Sequence, residues 1–158
     1  MGHIILVGIA MGVGGTLAMD IWAWLLNRVA GQPLPNWAMP GRWAAHVARG
    51  RIWHDDIGAA EPVSGELRVG WAFHYAVGIA YGIAFVFLVG EMWRAAPTFW
   101  PVWLFSILTI AAGWFLLQPG MGLGWAASKT ENPWKVRAMG LLAHTMFALG
   151  MFAAAVAF

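Results

Sequence analysis

Four long apolar blocks, separated by stretches that carry most of the charge, dominate the sequence. The blocks run over residues 3–29, 69–89, 99–126 and 136–158. Each is at least as long as the roughly 20 residues that an α-helix needs to cross a bilayer. The pattern therefore predicts an all-α, polytopic membrane protein, with residues 1–158 forming a single membrane domain built as a bundle of four transmembrane helices.

The loop between the first two blocks, residues 30–67, holds four of the eight prolines. Within it, residues 40–49 can form a short amphipathic helix that ends at Gly50, because glycine readily adopts the left-handed conformation found after helix ends. One face of this helix would carry the basic residues Arg42, His46 and Arg49, and we expect these to contact lipid headgroups. A solvated connector anchored by tryptophan is the alternative.

Composition supports the assignment to a membrane and narrows the function. Hydrophobic residues make up 61% of the chain and charged residues only 10%, whereas soluble domains carry about 25% charged residues. The chain contains no Cys, which excludes disulfides and cysteine-based metal sites. No phosphate-binding loop, nucleophile elbow or HExxH motif is present, so an enzyme is not the favoured interpretation.

Positive charge is distributed unevenly among the loops. Eight of the nine Lys and Arg residues lie in or beside loop 30–67 and the hairpin between the third and fourth blocks, and only Arg94 lies in the second hairpin. Because positively charged loops stay in the cytoplasm, this bias predicts a bacterial-type inner membrane, a cytoplasmic loop 30–67 and both termini outside. The rule also explains these charges without a nucleic-acid partner. The first block contains Asp20 and has no Lys or Arg before it, so we expect a retained helix and not a signal peptide.

Three ionisable residues lie inside the apolar blocks, namely Asp20, His74 and His144. Asp20 is eight residues before Arg28, while the histidines follow basic residues by six and seven positions. At 1.5 Å per residue, all three would lie roughly 9–12 Å from the cytoplasmic edge. Such groups rarely face lipid, so the sequence predicts that they converge on one interior polar site.

Small residues spaced four apart accompany each ionisable residue and predict close helix contacts, which could also support a homo-oligomer. These rows are Gly8, Gly12, Thr16 and Asp20; Gly70, His74, Gly78 and Gly82; and Gly140, His144 and Ala148. In the third block, Gln118 and Pro119 precede three closely spaced glycines, and proline removes a backbone hydrogen bond. We therefore expect this helix to bend at residues 118–120 and to offer freed carbonyls to the polar site.

Several segments resemble a family of small bacterial inner-membrane proteins with four predicted spans, known only as a domain of unknown function. The resemblance is carried by GGTLAMD (14–20), GRW (41–43), HDDI (54–57), GELRVGWAFHY (65–75) and QPGMGLGWAASKTENP (118–133), together with the region of His144. It implies a four-span architecture and assigns no catalytic residue.

The favoured function is a buried site that binds a cation or relays protons. Asp20 would supply charge, His74 and His144 would act as ligands or titrating groups, and Gln118 would complete the shell. Glu66 would serve as a carboxylate at the entrance. Neighbouring Met residues would suit Cu(I), and the other ligand class is a divalent ion. A second, exposed cation site could form from His54, Asp55, Asp56 and Glu61.

Two alternatives remain open. In the first, His74 and His144 are the axial ligands of a haem b, with Arg68 and Arg137 pairing with its propionates. In the second, the polar residues only fix helix register in a structural or accessory subunit. An enzyme acting on lipid is disfavoured, because no Ser, Cys or paired carboxylates lie at the depth of the three ionisable residues.

Overall fold

The computed structural model describes residues 2–158, and in that range every regular element is a helix and no β-strand is present. Four of its five main helices are long and apolar enough to cross a membrane. The predicted all-α architecture, with four spans and a short helix in the first loop, is confirmed. The helices are α1 (Gly2–Ala30), α2 (Ala38–Val47), α3 (Glu66–Ala95), α4 (Phe99–Gly120) and α5 (Pro133–Ala157).

The end of α4 differs from the expectation that the third span continues to residue 126. The helix ends at Gly120, and Gly122 and Gly124 follow with φ values of +87° and +74°. These left-handed conformations suit glycine and cannot continue a right-handed helix. The six residues after Gly120 therefore belong to a connecting segment that includes a short 3₁₀ turn, Trp125–Ala127.

An irregular turn precedes the proline in α4. Residues Gly113–Leu117 form a π-helical turn, and Gln118–Gly120 then complete the helix. Pro119 has no N–H for the carbonyl of Phe115 and its ring crowds that carbonyl, so a wider turn accommodates it. The predicted departure from a regular helix is present, but it begins about one turn earlier than residues 118–120.

The chain divides into two compact units that draw on different parts of the long helices. The first unit comprises the chain up to Leu34 together with Tyr75–Thr109 and Leu141–Phe158. The second unit comprises Pro35–His74 and Ile110–Gly140. Each is described separately below.

The first unit packs α1 against α3 through glycines. A Cβ atom added at Gly12 would lie 2.5 Å from the Cα of Ile79, and one added at Gly8 would lie 2.7 Å from the Cα of Ile83. Gly82 approaches the backbone of α1 in the same way. The two backbones are therefore in direct contact, as the small-residue rows predicted. The buried core of this unit consists of Val7, Met11, Phe85, Val86, Val102, Phe147, Ala148, Met151 and Ala155.

A second glycine contact in the first unit joins α1 to α5. A Cβ at Gly14 would lie 3.0 Å from the carbonyl oxygen of Gly150, and a Cβ at Gly150 would lie 2.7 Å from the Cβ of Ala18. The sequence interpretation missed this contact, because it selected the row of Gly140 and His144 on α5. The i+4 spacing of Gly14 and Ala18 was the pattern that could have indicated it.

The second unit is built around α2. Its buried core contains Trp43, Ile57 and Met121. Helix α2 ends at Val47, and the turn that follows it closes at Gly50, which has the predicted left-handed conformation with φ +87°. There, Arg51 N donates to His46 O at 3.0 Å and Gly50 N donates to Val47 O at 2.9 Å. These two bonds form a Schellman motif, which fixes the direction in which the chain leaves the helix.

We predict that Gly12→Ala destabilises the protein although alanine favours helix formation by about 1 kcal/mol over glycine. The added methyl group would overlap the backbone of α3, and such overpacking costs about 1–3 kcal/mol. Thermal unfolding of the protein in detergent should show a lower Tm. Gly113→Ala is the matched control, because its Cβ would meet no atom within 4 Å. An unchanged Tm for Gly12→Ala would contradict the close contact.

Candidate functional site

Arg42, on α2 in the second unit, is a buried cation whose three side-chain nitrogen atoms all donate to protein acceptors. It is 6% exposed. Its Nε and Nη2 atoms each donate to the carboxylate of Glu66 at 2.8 Å. Nη1 donates to the carbonyls of Ile57, Gly58 and Ala60 at 3.0–3.1 Å. This bidentate pair with added carbonyl acceptors ties the loop to the start of α3.

These contacts correct two predictions about charged residues. Arg42 and His46 were expected to contact headgroups, but both are buried and Arg42 is fully engaged. Arg49 is exposed, so the prediction stands for it alone. Glu66 was expected at the entrance of a polar site, but Arg42 occupies both of its oxygens and Val63 N adds a third bond at 3.0 Å. The hydrogen bond to Glu66 raises the pKa of Arg42.

Two buried histidines form a hydrogen-bonded pair in the same unit. His46 Nδ1 lies 2.9 Å from His54 Nε2, and His54 Nδ1 lies 3.0 Å from the carbonyl oxygen of Gly120. The rings are stacked, with centroids 5.0 Å apart. We call these two residues the histidine pair. The backbone supports it, because His54 N also donates to Gly120 O and Ile57 N donates to Met121 O, both at 3.0 Å.

The predicted exposed cation site loses its only nitrogen ligand to this pair. His54 is 6% exposed, and its two ring nitrogens bond to His46 and Gly120. The remaining candidates, Asp55, Asp56 and Glu61, are exposed. Asp56 accepts a hydrogen bond from Gly58 N at 2.7 Å, as in an ordinary Asx turn. Within residues 2–158, no three His, Asp or Glu side chains are arranged to hold a metal ion.

His74, also in the second unit, lies among aromatic rings. Its imidazole stacks on the indole of Trp37, with centroids 3.8 Å apart and planes at 25°. Trp71 meets it edge-on at 6.0 Å. The sequence interpretation did not include Trp37, which lies outside the apolar blocks.

Asp20, in the first unit, accepts a hydrogen bond from the side chain of Tyr75. Tyr75 Oη donates to Asp20 Oδ2 at 2.9 Å. The sequence interpretation missed Tyr75, which is one of only two tyrosines in the chain and follows His74 directly. A tyrosine inside an apolar span requires a hydrogen-bond partner, and this requirement could have indicated its pairing with an acidic residue.

His144, in the first unit, is anchored to α4 through one ring nitrogen. Nδ1 lies 2.7 Å from the carbonyl oxygen of Ser106 and 3.3 Å from Thr109 Oγ1. A carbonyl oxygen can only accept, so Nδ1 carries the proton and donates. In the neutral ring, Nε2 then presents a lone pair. Ser106 and Thr109 were missed, because they are uncharged polar residues in an apolar helix.

The structure thus distributes the predicted site residues between its two units. Asp20 and His144 belong to the first, where Asp20 bonds to α3 and His144 bonds to α4. His74 and Gln118 belong to the second, and Gln118 Oε1 is buried with no hydrogen-bond partner among the described residues. A joint site of Asp20, His74 and His144 stays a prediction.

Arg137, one of the two arginines predicted to pair with the haem propionates, has protein partners. Arg137 Nε donates to the carbonyl of Ala126 at 2.8 Å, and its guanidinium lies 4.8 Å from the ring centre of Trp134. The haem alternative stays a prediction.

Four long apolar helices and buried pairs of charged and histidine side chains define an α-helical, polytopic membrane protein. Residues 9–158 match the family described as "Protein of unknown function (DUF2938)". The chain belongs to this family, as the resemblance in sequence indicated. No curated protein and no solved structure matches the chain.

We predict that Arg42→Lys loosens the second unit. Lysine keeps the charge but cannot form a bidentate pair with Glu66 while bonding three carbonyls. Trypsin should then cleave the segment around residues 49–51 faster, and the Tm should fall. Arg49→Lys is the matched control, because Arg49 is on the same loop and is exposed. Equal behaviour of the two variants would contradict the clamping role of Arg42.

Proposed function

We propose that this membrane protein binds and relays protons on ionisable side chains inside its spans, with His144 and Asp20 as exchanging groups. The observation that carries the proposal is the anchored imidazole of His144. Its Nδ1 is fixed by the carbonyl of Ser106, so the tautomer is set and Nε2 is the basic atom. A histidine in this state can accept a proton without losing its anchor.

Asp20 supports the same interpretation. Its carboxyl group is in an apolar helix and accepts from Tyr75. A phenol can donate to a carboxylate or to the carbonyl oxygen of a carboxylic acid, so this bond is compatible with both protonation states. A carboxyl group that keeps its partner while gaining or losing a proton is suited to proton exchange.

The chemistry of these groups favours a proton over the other ligands that the sequence left open. A proton needs one acceptor atom, which His144 Nε2 offers, whereas a divalent ion needs several ligands. A purely structural role explains the hydrogen bonds but gives no reason for ionisable residues, since interhelical hydrogen bonds in membranes contribute only about 0.6 kcal/mol each. An uncharged amide would provide the same bonds.

The test is proton flux into proteoliposomes that contain a pH-sensitive dye, driven by a potassium diffusion potential. We expect the native protein to conduct protons and His144→Gln and Asp20→Asn to reduce the rate about tenfold or more. Both substitutions keep a hydrogen-bonding group but remove the titrating one. Their Tm values should therefore change little.

Two matched controls accompany this test. His3→Gln replaces an exposed histidine in α1, and Glu91→Gln removes a carboxylate whose side chain is 93% exposed. Both should conduct like the native protein. No flux above that of empty vesicles, or equal flux in all variants, would contradict the proposal. Elemental analysis and an absorption spectrum of the same preparation would detect a bound metal or haem.

We also propose that the protein lies in an inner membrane with loop 30–67 in the cytoplasm. The proposal rests on the eight-to-one distribution of Lys and Arg. Reporter fusions after residue 60 should be active with a cytoplasmic reporter and inactive with a periplasmic one, and fusions after residue 96 should show the opposite pattern. The reverse result at both positions would refute this orientation.

A further inference from the structure

We propose that the histidine pair, His46 and His54, is a separate proton-binding site that holds one proton and couples it to the attachment of the loop to the end of α4. The site lies entirely within the second unit. It uses none of the residues assigned to proton relay above, so the two proposals can fail independently.

The order of protons in the neutral pair follows from its last acceptor. Gly120 O can only accept, so His54 Nδ1 must carry a hydrogen. In neutral His54, Nε2 is then a lone-pair acceptor. His46 Nδ1 must therefore donate across the 2.9 Å contact. When both rings are neutral, one ring nitrogen, His46 Nε2, keeps a lone pair that accepts no hydrogen bond within the chain. Only one arrangement of tautomers satisfies the geometry.

A first proton can bind without disrupting this chain of hydrogen bonds. Protonation of His46 Nε2 makes the ring an imidazolium that still donates from Nδ1 to His54. A charge-assisted bond is shorter and stronger than a neutral one. The bound proton can also shift across the contact, leaving His46 neutral and His54 as the cation, while Gly120 O keeps its donor. The pair therefore shares one added proton.

A second proton has no place in the same geometry. It would have to bind His54 Nε2 while His46 Nδ1 also carries a hydrogen, so two donors would face each other at 2.9 Å. Two positive charges would also lie within one buried contact. Binding of the second proton therefore requires the rings to separate.

Charged side chains are carried by α2, by the loop and by the start of α3, the elements around the pair. Arg42 on α2 and Glu66 on α3 form a bidentate pair, and the Glu66 carboxylate also interacts electrostatically with His46. Asp55 and Asp56 in the loop are exposed, as are Arg49 and Arg51 after α2. The end of α4 and the segment that follows it, residues 118–124, contain no ionisable side chain. None of these charged groups is hydrogen-bonded to either ring, so an added proton is bound by the pair itself.

Ring separation would act on the loop because the same residues attach it to α4. His54 donates to Gly120 O from both its ring and its backbone, and Ile57 N donates to Met121 O. The number of protons bound to the histidine pair therefore controls how firmly residues 54–57 are attached to Gly120 and Met121. The amide of Ile57 reports this attachment directly.

The first test is a pH titration of the native protein, labelled with ¹⁵N-histidine, in detergent micelles by NMR. Between about pH 8 and pH 5, we expect the two rings together to gain one proton, His54 Nδ1 to stay protonated, and the Ile57 amide to stay protected from exchange. Gain of a second proton should coincide with loss of that protection. Two protons with protection unchanged, or no proton at all, would overturn the proposal.

Variants at His54 separate the hydrogen-bond chain from simple packing. In His54→Gln, the amide can donate to Gly120 O and accept from His46, so we expect one proton on His46 and unchanged protection of Ile57. In His54→Leu both bonds are lost, and exchange at Ile57 should be about tenfold faster. His3→Gln, at an exposed histidine in α1, should behave like the native protein. If Leu and Gln at position 54 behave alike, the chain of hydrogen bonds is refuted. The titration of the native protein remains decisive if His54→Leu does not fold.

Discussion

A polar group removed from water needs a partner inside the protein, and this requirement shapes both units. In lipid the requirement is absolute for the backbone, and a buried charge without a partner is costlier still. Among the residues that the structure describes, the buried side-chain polar atoms that lack a hydrogen-bond partner are Trp22 Nε1 and Gln118 Oε1. Thr16 donates to Gly12 O within α1 at 2.8 Å, and His144 donates to a carbonyl of α4. Arg42 donates to five acceptor atoms, namely the two carboxylate oxygens of Glu66 and three backbone carbonyl oxygens. The need to satisfy buried polar groups explains these hydrogen bonds better than a net gain in folding stability does.

The helices could be predicted because their information is local. Runs of apolar residues longer than a bilayer is thick admit few alternatives, and the positions of Gly12, Gly78 and Gly82 in small-residue rows indicated which faces meet. The helix ends were less predictable. The end of α4 depends on a π-helical turn and on left-handed glycines, whose conformations hydropathy does not encode. The contact of Gly14 with Gly150 was missed because competing rows on α5 have equal spacing.

The loop could not be predicted in the same way, because its partners are distant in the chain. His54 is followed by two aspartates, a pattern typical of a solvated turn, and polarity alone therefore indicated exposure. Its actual partners are His46 and a carbonyl 66 residues away. The partner of Arg42 is likewise 24 residues away. Burial of a polar side chain depends on whether such partners meet, and one sequence without its fold does not specify that.

The second unit shows that motifs scattered along the chain can be parts of one assembly. GRW contributes Arg42, HDDI contributes His54 and Ile57, GELR contributes Glu66, and QPGMG contributes the carbonyls of Gly120 and Met121. The features that end α4 also make this assembly possible. A helix that continued past Met121 would use these carbonyls for its own hydrogen bonds. Because the chain turns at Gly122 instead, the carbonyls are available to the loop, and Gly120 O fixes the tautomer of His54 and through it that of His46. The proton order of the histidine pair is thus set by the point at which a neighbouring helix ends.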